Sequence, residues 1–139
     1  MRLCVLDASF AMAWVFPDES VPAADALLTR LETGDCVVVP AVLWSLGVRN
    51  VLRSAVRRRR LSAELAEQHR LALRDLPKIV VACPNGLSDE IDELVRVHDL
   101  TSYDAAYLAV AVENELPLAT AAAGLAAAAD AAGVRRYVG

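Results

Sequence analysis

Two aspartates stand where an open α/β fold commonly places its ligands. Asp7 follows a short apolar run, Met1 to Leu6, and a helical pattern begins directly after it. Asp104 lies at the start of another helical pattern, far along the chain. Ligands of such folds bind in the crevice beyond the carboxyl ends of the parallel strands. If both side chains point into that crevice, the sequence predicts a pair of carboxylates there.

Paired carboxylates repel each other, and a divalent cation is the usual way to relieve that repulsion. Carboxylate oxygens are hard ligands that suit Mg²⁺ or Mn²⁺. A cation site at Asp7 and Asp104 is therefore one hypothesis for this chain. The alternative is that an aspartate, or Ser9, only caps the helix that follows, since these residue types are common at that position. The local pattern alone leaves both interpretations open.

Short apolar runs alternate with helical patterns along the whole chain. Runs without polar alternation are typical of strands that are covered on both faces. The order predicts an α/β fold with a mostly parallel sheet, helices on both faces and right-handed crossovers. The predicted strands are residues 2–6, 36–39, 78–82, 116–120 and 134–138, and the predicted helices are residues 8–15, 20–33, 41–58, 62–75 (opened by a capping box at Ser62), 88–98, 103–114 and 121–132.

The composition is that of a globular protein with a substantial core. Hydrophobic residues make up 56% of the 139 residues, which excludes a disordered chain. This length predicts a single domain, residues 1–139. The net charge of −4 excludes a global basic field, so any contact with nucleic acid must depend on a local cluster.

The start of the chain and its cysteines predict a compartment. The apolar start stops at Asp7, too early for a signal peptide, and no apolar stretch is long enough to span a bilayer. Cys4, Cys36 and Cys83 are odd in number and match no metal spacing. They are interpreted as small core residues in a reducing compartment. We therefore expect a cytoplasmic protein without membrane contact.

Two other α/β families fail at the residue that each most requires. A haloacid-dehalogenase-like phosphatase needs a second aspartate two residues after the nucleophile, where this chain has Ser9. A response-regulator receiver needs a phosphoacceptor aspartate at the end of the third strand. There the chain reads Val81-Ala82-Cys83-Pro84. Both families are therefore excluded.

A third family fits nearly the whole chain. The matching stretches are Val5-Leu6-Asp7-Ala8-Ser9, Ala13-Trp14, Val39-Pro40-Ala41 with Trp44 and Asn50, Leu100 to Leu108, and Leu116 to Thr120. On these stretches the chain resembles a PIN domain, specifically the VapC-like toxins of bacterial toxin–antitoxin pairs. The resemblance implies a three-layer α/β/α sandwich around a five-stranded parallel sheet. It also implies a Mg²⁺-dependent endoribonuclease (or one using Mn²⁺), a homodimer, and inhibition by a VapB-like antitoxin.

The family's acidic cluster usually has four members, and this chain has two of them. Asp7 and Asp104 match the first and third members, which implies catalytic and metal-binding roles for both. The second member is a glutamate on the long helix, where this chain has Gly47, and the fourth is an aspartate at the place of Ala122. Both positions are interpreted as lost ligands, so we expect severely impaired cleavage. A catalytically dead PIN module that binds antitoxin or RNA is the alternative.

Three polar residues are candidates for supporting roles. Ser9, Asn50 and Thr120 could orient the carboxylates or a metal-bound water, as the outer partners of metal ligands commonly do. Each also has an ordinary interpretation. Ser9 could be a helix cap, Asn50 a surface helix residue and Thr120 a plain strand residue, and the sequence does not separate these possibilities.

A local basic cluster lies on the long helix. Arg49, Arg53 and Arg57 are four residues apart, which places them on one face, and they run into Arg58-Arg59-Arg60. Guanidinium groups suit phosphate, so this stripe is a candidate RNA contact. An antitoxin contact or a merely solvated helix face explains the same pattern.

Overall fold

The computed structural model describes residues 2–138. The strands are β1 (Val5–Leu6), β2 (Val37–Pro40), β3 (Lys78–Val81) and β4 (Leu118–Ala119); the helices are α1 (Ala8–Ala11), α2 (Pro22–Glu32), α3 (Leu43–Arg57), α4 (Ala63–Arg74), α5 (Asp89–His98), α6 (Ser102–Asn114) and α7 (Ala123–Ala131). The strands form one sheet in the order β3-β2-β1-β4, and helices flank it.

All strand pairs in this sheet are parallel, which confirms the predicted fold class. Val5 is in register with Val38 on one side and with Leu118 on the other. β2 pairs with β3 along its whole length, from Val37 with Lys78 onward. Because the strands are parallel, their carboxyl ends lie at one edge of the sheet. The residue after β1, Asp7, therefore lies at that edge.

The predicted fifth strand, residues 134–138, is wrong as a strand. Only Arg136 forms a bridge, which is parallel and pairs it with Leu118. Leu118 donates to the Arg135 carbonyl and accepts from the Tyr137 amide, both at 2.9 Å. β4 is itself two residues long, so it offers this segment too little edge for a longer ladder.

The helices agree with the predicted pattern except at their ends. The predicted helix 8–15 divides into α1 and a 3₁₀ turn, Met12–Trp14. Ser62 caps α4 as expected, since its hydroxyl accepts from the Leu65 amide at 3.1 Å. The capping box is not formed, however. Glu64 lies one position too early to be the third helical residue that such a box requires.

The core lies on both faces of the sheet. Both residues of β1 and all four of β2 are buried. Successive strand residues point to opposite faces, so this burial requires cover on each side. On α6 the small residues Ala105, Ala109 and Ala111 are fully buried, and the helix contacts β1, β2 and β4. α6 is thus a central helix, and Asp104 lies in its first turn.

The cysteines differ in environment. Cys4 is buried beside the central strand, as predicted. Cys83 is exposed, because the chain has already left the edge strand β3 at Val81, and its interpretation as a core residue is wrong. Among the helices between residues 2 and 138, none combines the length and the apolar character needed to cross a membrane.

Candidate functional site

Asp7 is a buried carboxylate held by two hydroxyl groups. Its side chain is 6% exposed. Asp7 occupies the N-cap position of α1, but the side chain makes no capping bond. Instead, its Oδ2 accepts hydrogen bonds from Ser9 Oγ and Thr120 Oγ1, both at 2.7 Å. Helix capping is therefore the wrong interpretation of Asp7, since the fold uses its neighbours to orient it.

The two hydroxyl groups are themselves fixed by backbone amides. The Ala121 amide donates to Ser9 Oγ, and the Ala122 amide donates to Thr120 Oγ1, each at 3.0 Å. Because each hydroxyl accepts from the backbone, its own hydrogen is directed to Asp7. Oδ1 of Asp7 receives no hydrogen bond from residues 2–138 and remains available to a ligand.

Asp104 also lacks a capping role. Thr101 is the N-cap of α6 and accepts from the Asp104 amide at 3.2 Å, which leaves the Asp104 carboxylate unused. Burial raises the pKa of this carboxyl group, and the negative charge of Asp7 raises it further. The helix N-terminus favours negative charge at this position. The charge of Asp7 therefore reaches the Asp104 carboxyl group.

Asp7 and Asp104 line one cavity of about 1180 Å³ at the carboxyl edge of the sheet. Its walls come from α1, α3, α6 and the loop after β3. The cavity is also lined by Gly47, Arg49, Asn50 and Arg53, whereas Ser9, Thr120, Ala122 and Arg57 lie outside its lining. The structure therefore places both acids in the wall of one cavity, and the hydroxyls that bond to Asp7 lie outside that wall.

The two positions that lack the family's acids differ in what surrounds them. A Cβ added to Gly47 would meet only the Ala8 side chain, at 3.7 Å, which is an ordinary contact. Packing therefore does not require glycine there, and a longer side chain could enter the cavity. Ala122 is the N-cap of α7, and it contributes no capping side chain.

The donor set fits one hard cation and no more. Within residues 2–138 no group of three or more Asp, Glu, His or Cys side chains is arranged to hold a metal ion. Mg²⁺ keeps several waters and commonly takes one or two carboxylates from protein. Asp7 and Asp104 could thus hold a single Mg²⁺ or Mn²⁺ weakly, whereas a second ion would lack its anchor.

Tyr107 is a site residue that the sequence analysis missed. It is buried, lies one turn after Asp104 on α6 and lines the same cavity. Burial raises the pKa of its phenol, the charge of Asp7 raises it further, and a bond from the Ala8 amide opposes both. The spacing of three residues from Asp104 was the available signal, because such residues share a helix face.

The mouth of the cavity has an exposed apolar rim. Val42, Leu46 and Tyr103 line the cavity and are 68%, 62% and 67% exposed. Val42 is also strained, because its φ of 68° is rare for a β-branched residue. It is the central residue of a tight turn in which the Leu43 amide donates to the Ala41 carbonyl at 2.7 Å. A large exposed apolar surface beside a polar site is typical of a binding surface.

The comparisons with known proteins agree with this geometry. A crystal structure of PAE2754 from Pyrobaculum aerophilum is similar in fold, with a TM-score of 0.71 and 22% sequence identity, over 92% of this chain and 84% of that one. Among curated proteins no relative matches the chain. Residues 4–131 match the PIN domain, a family whose members are generally metal-dependent nucleases. The match covers most of the 139 residues, and the chain belongs to the PIN domain family.

Proposed function

We propose that this protein is a cytoplasmic VapC-like toxin, an attenuated endoribonuclease that depends on Mg²⁺ or Mn²⁺. The observation that carries the proposal is the shared cavity of Asp7 and Asp104. One carboxylate is buried and oriented by hydroxyls, and the other lies in the first turn of α6 and lines the same cavity. Hard oxygen ligands in a cleft large enough for a nucleotide suit the metal-dependent cleavage of a phosphodiester.

The residues around the acid pair have distinct roles in this proposal. Ser9 and Thr120 hold Asp7 by its Oδ2, which leaves Oδ1 for a ligand in the cavity that Asp7 lines. Asn50 lies on the cavity wall, where its amide could bond to a phosphate or a water molecule. A bound divalent cation would supply charge stabilisation for the phosphodiester under attack. The protein's part is to hold the carboxylates and the RNA in position.

Attenuation follows from the side chains at residues 47 and 122. Gly47 lines the cavity without a side chain, and Ala122 ends in a methyl group. If either missing acid oriented or deprotonated the attacking water, its loss would lower the rate by about 10²–10⁴-fold. Gly47 also costs α3 about 1 kcal/mol relative to alanine. A packing requirement does not explain it, since the added Cβ has room.

A second function is supported by the same two positions. The chain could be a catalytically dead PIN module that binds antitoxin or RNA without cleavage. The absence of any ligand group of three or more within residues 2–138 favours this function. The oriented Asp7 favours the first function, because a buried carboxylate beside another one costs stability that binding alone does not require.

Two protein partners belong to the proposal. A VapB-like antitoxin would cover the apolar rim formed by Val42, Leu46 and Tyr103, which would also close the cavity to RNA. The chain itself would form a homodimer. Both expectations have direct measurements: the mass of the purified chain in solution, and the protection of the rim from limited proteolysis by a co-expressed antitoxin.

The deciding experiment restores the missing acids. RNA cleavage in Mn²⁺ or Mg²⁺ is measured for the native chain and for the double variant Gly47→Glu with Ala122→Asp. We expect the double variant to cleave and the native chain to cleave at least about a hundredfold more slowly. Adding Asp7→Asn to the double variant should abolish the gained activity. If neither protein cleaves any RNA while both fold, the ribonuclease proposal fails.

A matched control separates metal binding from helix capping. Residue 122 is the N-cap of α7, so an aspartate there would stabilise the helix by about 1 kcal/mol without any metal. The variant Gly47→Glu with Ala122→Asn caps α7 equally well but adds no second carboxylate. Activity that requires aspartate rather than asparagine at residue 122 is activity of the acidic cluster.

A further inference from the structure

Five arginines, from the middle of α3 to just after its end, form an unpaired cluster. They are Arg49, Arg53, Arg57, Arg58 and Arg59, and we call them the arginine stripe. All five are exposed, and none forms an ion pair within residues 2–138. The next residue behaves differently, because Arg60 bonds to Asp18 and Glu19 and stacks on the Phe16 ring.

The stripe stands out against an acidic protein. Residues 49–78 contain nine basic and three acidic side chains, whereas the rest of the chain contains five basic and fifteen acidic ones. Most arginines elsewhere are paired, including those at residues 30, 96 and 136. Crowded like charges repel and destabilise the folded protein unless an anion lies among them. The stripe therefore points to an anionic partner from outside the chain.

The stripe begins at the acid pair and follows a groove. Arg49 and Arg53 line the cavity that holds Asp7 and Asp104. The same two arginines, with Arg57, line a groove of about 410 Å³ between α3 and α4, and the one acid in that lining, Glu67, is paired with Arg70. Arg53 and Arg57 also line a hollow of about 440 Å³ on another side of α3. A basic path thus leads out of the cavity along the helix.

We infer that the arginine stripe binds the phosphates of one RNA strand as that strand leaves the acid pair along α3. This inference rests on the proposed function, because the strand enters the path from the cavity. Eight residues separate Arg49 from Arg57, a rise of about 12 Å. A stacked strand advances about 3.4 Å per phosphate, so the stripe spans about three phosphates. The guanidinium fork matches phosphate oxygens in pairs.

An acidic polypeptide is the competing partner, and the geometry favours RNA over it. The regular spacing of four residues suits a polymer whose charges repeat at equal intervals. The basic path also begins at the cavity of the acid pair, and the chain belongs to the PIN domain family, whose members are generally nucleases. An RNA strand bound in the cavity would therefore continue along this path. An acidic peptide would need neither feature.

The test measures binding without cleavage. Fluorescence anisotropy of a labelled single-stranded RNA is recorded in EDTA over a series of KCl concentrations, with the native chain and with Arg53→Gln/Arg57→Gln. The matched control is Arg96→Gln/Arg135→Gln, which removes the same charge from exposed sites on α5 and after α7. Each phosphate contact on a single strand contributes about 0.7 to the salt slope, so the stripe variant should lose about 1.4. At 0.1 M salt this corresponds to about twentyfold weaker binding.

The outcomes separate this inference from the proposed nuclease. The stripe inference is overturned if both double variants lose affinity equally, if the stripe variant keeps the native salt slope, or if polyglutamate of equal charge binds more tightly than RNA. Because EDTA removes metal, these results do not depend on catalysis. If the stripe binds RNA but the Gly47→Glu/Ala122→Asp variant does not cleave it, the nuclease proposal fails and the stripe inference stands.

Discussion

At the scale of single residues, the fold holds the Asp104 carboxyl group in an environment that disfavours its charged form. Asp7 is buried with Ser9 and Thr120 bonded to one oxygen, and Asp104 lines the same cavity. Burial and the charge of Asp7 raise the pKa of Asp104, so the charged form of Asp104 would be more stable in water. Groups whose pKa is shifted by burial and by a specific neighbour are candidates for function.

The first prediction concerns Asp104 and pH. The folded state raises the pKa of this carboxyl group, so the folded protein holds the proton to higher pH than the unfolded chain does. Stability is then lost as the pH rises from the unfolded pKa through the folded pKa, and below both values the group has no effect. Asp104→Asn should therefore gain stability over the native chain as the pH rises through that window. Urea unfolding of both proteins across that pH range measures the gain.

Asp7→Asn supplies the control for that prediction. If repulsion between Asp7 and Asp104 is part of the cost, the two substitutions are not additive, and Asp104→Asn gains less in the Asp7→Asn background. Additive effects would mean that burial alone raises the pKa. Added Mg²⁺ should stabilise the native chain and neither single variant, because a ligand stabilises only the state that binds it.

The second prediction concerns the hydroxyl that orients Asp7. Thr120→Val keeps the shape of the side chain but removes a bond to Oδ2 and leaves the Ala122 amide without its acceptor. We expect a loss of about 1 kcal/mol in unfolding free energy and about tenfold to hundredfold weaker Mn²⁺ binding, measured by electron paramagnetic resonance. Thr120→Ser keeps the hydroxyl and should restore the metal affinity. A serine variant as weak as the valine variant would contradict the orienting role.

Sequence reasoning reached some of this site and missed the rest for identifiable reasons. The presence of Asp7 and Asp104 in one cavity was predictable, because ligands of such folds bind beyond the carboxyl ends of the parallel strands. The direction of the Ser9 and Thr120 hydroxyls depends on backbone amides of residues 121 and 122, which no pattern reveals. The sequence predicts a helix over Tyr107 but not which of its faces lines the cavity, and the fold supplies that information.

At the scale of elements, the start of α3 is the strained part of the site. Val42 has a φ of 68° and ψ of −52° at the N-cap position and provides no capping bond. Such a backbone conformation costs on the order of 1–3 kcal/mol in a residue with a Cβ. The strained residue lies on the cavity rim, directly before the helix that carries Gly47 and Arg49.

The third prediction tests that strain. Val42→Gly removes the Cβ from a positive φ, and little packing is lost because the side chain is exposed. The relief of backbone strain should exceed the free-energy cost of the entropy that glycine adds to the unfolded chain. We expect a net increase of about 1 kcal/mol in the free energy of unfolding, measured with urea. Val21→Gly is the matched control, since Val21 is the N-cap of α2 in an ordinary extended conformation. The Val21→Gly variant should have a lower unfolding free energy than the native chain. An equal change in unfolding free energy for both variants would rule out strain at Val42.

Helices were predictable from the sequence and short strands were not. The apolar periodicity of α3 predicted its range to within two residues, because a helix repeats its signal over several turns. α6 is apolar on all sides, and its range was predictable from its length and from the residues that precede it. β1 and β4 are only two residues long, and each lies inside a longer apolar run. The run therefore does not predict at which residue the strand begins or ends. The segment 134–138 has the composition of a strand, but β4 gives it one residue of edge.

At the scale of the whole molecule, the central strand joins the site to the core. β1 pairs with both β2 and β4 and ends directly at Asp7, so local opening of this strand would disorder the acid pair. Both of its residues are fully buried. Core strands of this kind open only when the domain unfolds, whereas loops at a site open at much lower cost.

The fourth prediction uses the cysteines to compare those two regions. Cys4 is 3% exposed next to β1, and burial raises its pKa to about 11, so it is unreactive in the folded state. Cys83 is exposed on the cavity wall. With iodoacetamide under native conditions, Cys83 should react at once. Cys4 should react at least about a thousandfold more slowly, since its exposure requires the global unfolding free energy. Peptide mapping by mass spectrometry separates the sites.

Two controls decide whether Cys4 reports on global unfolding. Its labelling rate should rise with urea along the same slope as the unfolding equilibrium, because the same surface is exposed in both processes. Val42→Gly, which stabilises the whole domain, should slow Cys4 by about fivefold for each kcal/mol gained and leave Cys83 unchanged. If Cys4 is labelled rapidly and its labelling rate does not change with urea concentration, β1 opens locally. A site built on a strand that opens so easily could not hold Asp7 and Asp104 together long enough to retain a cation.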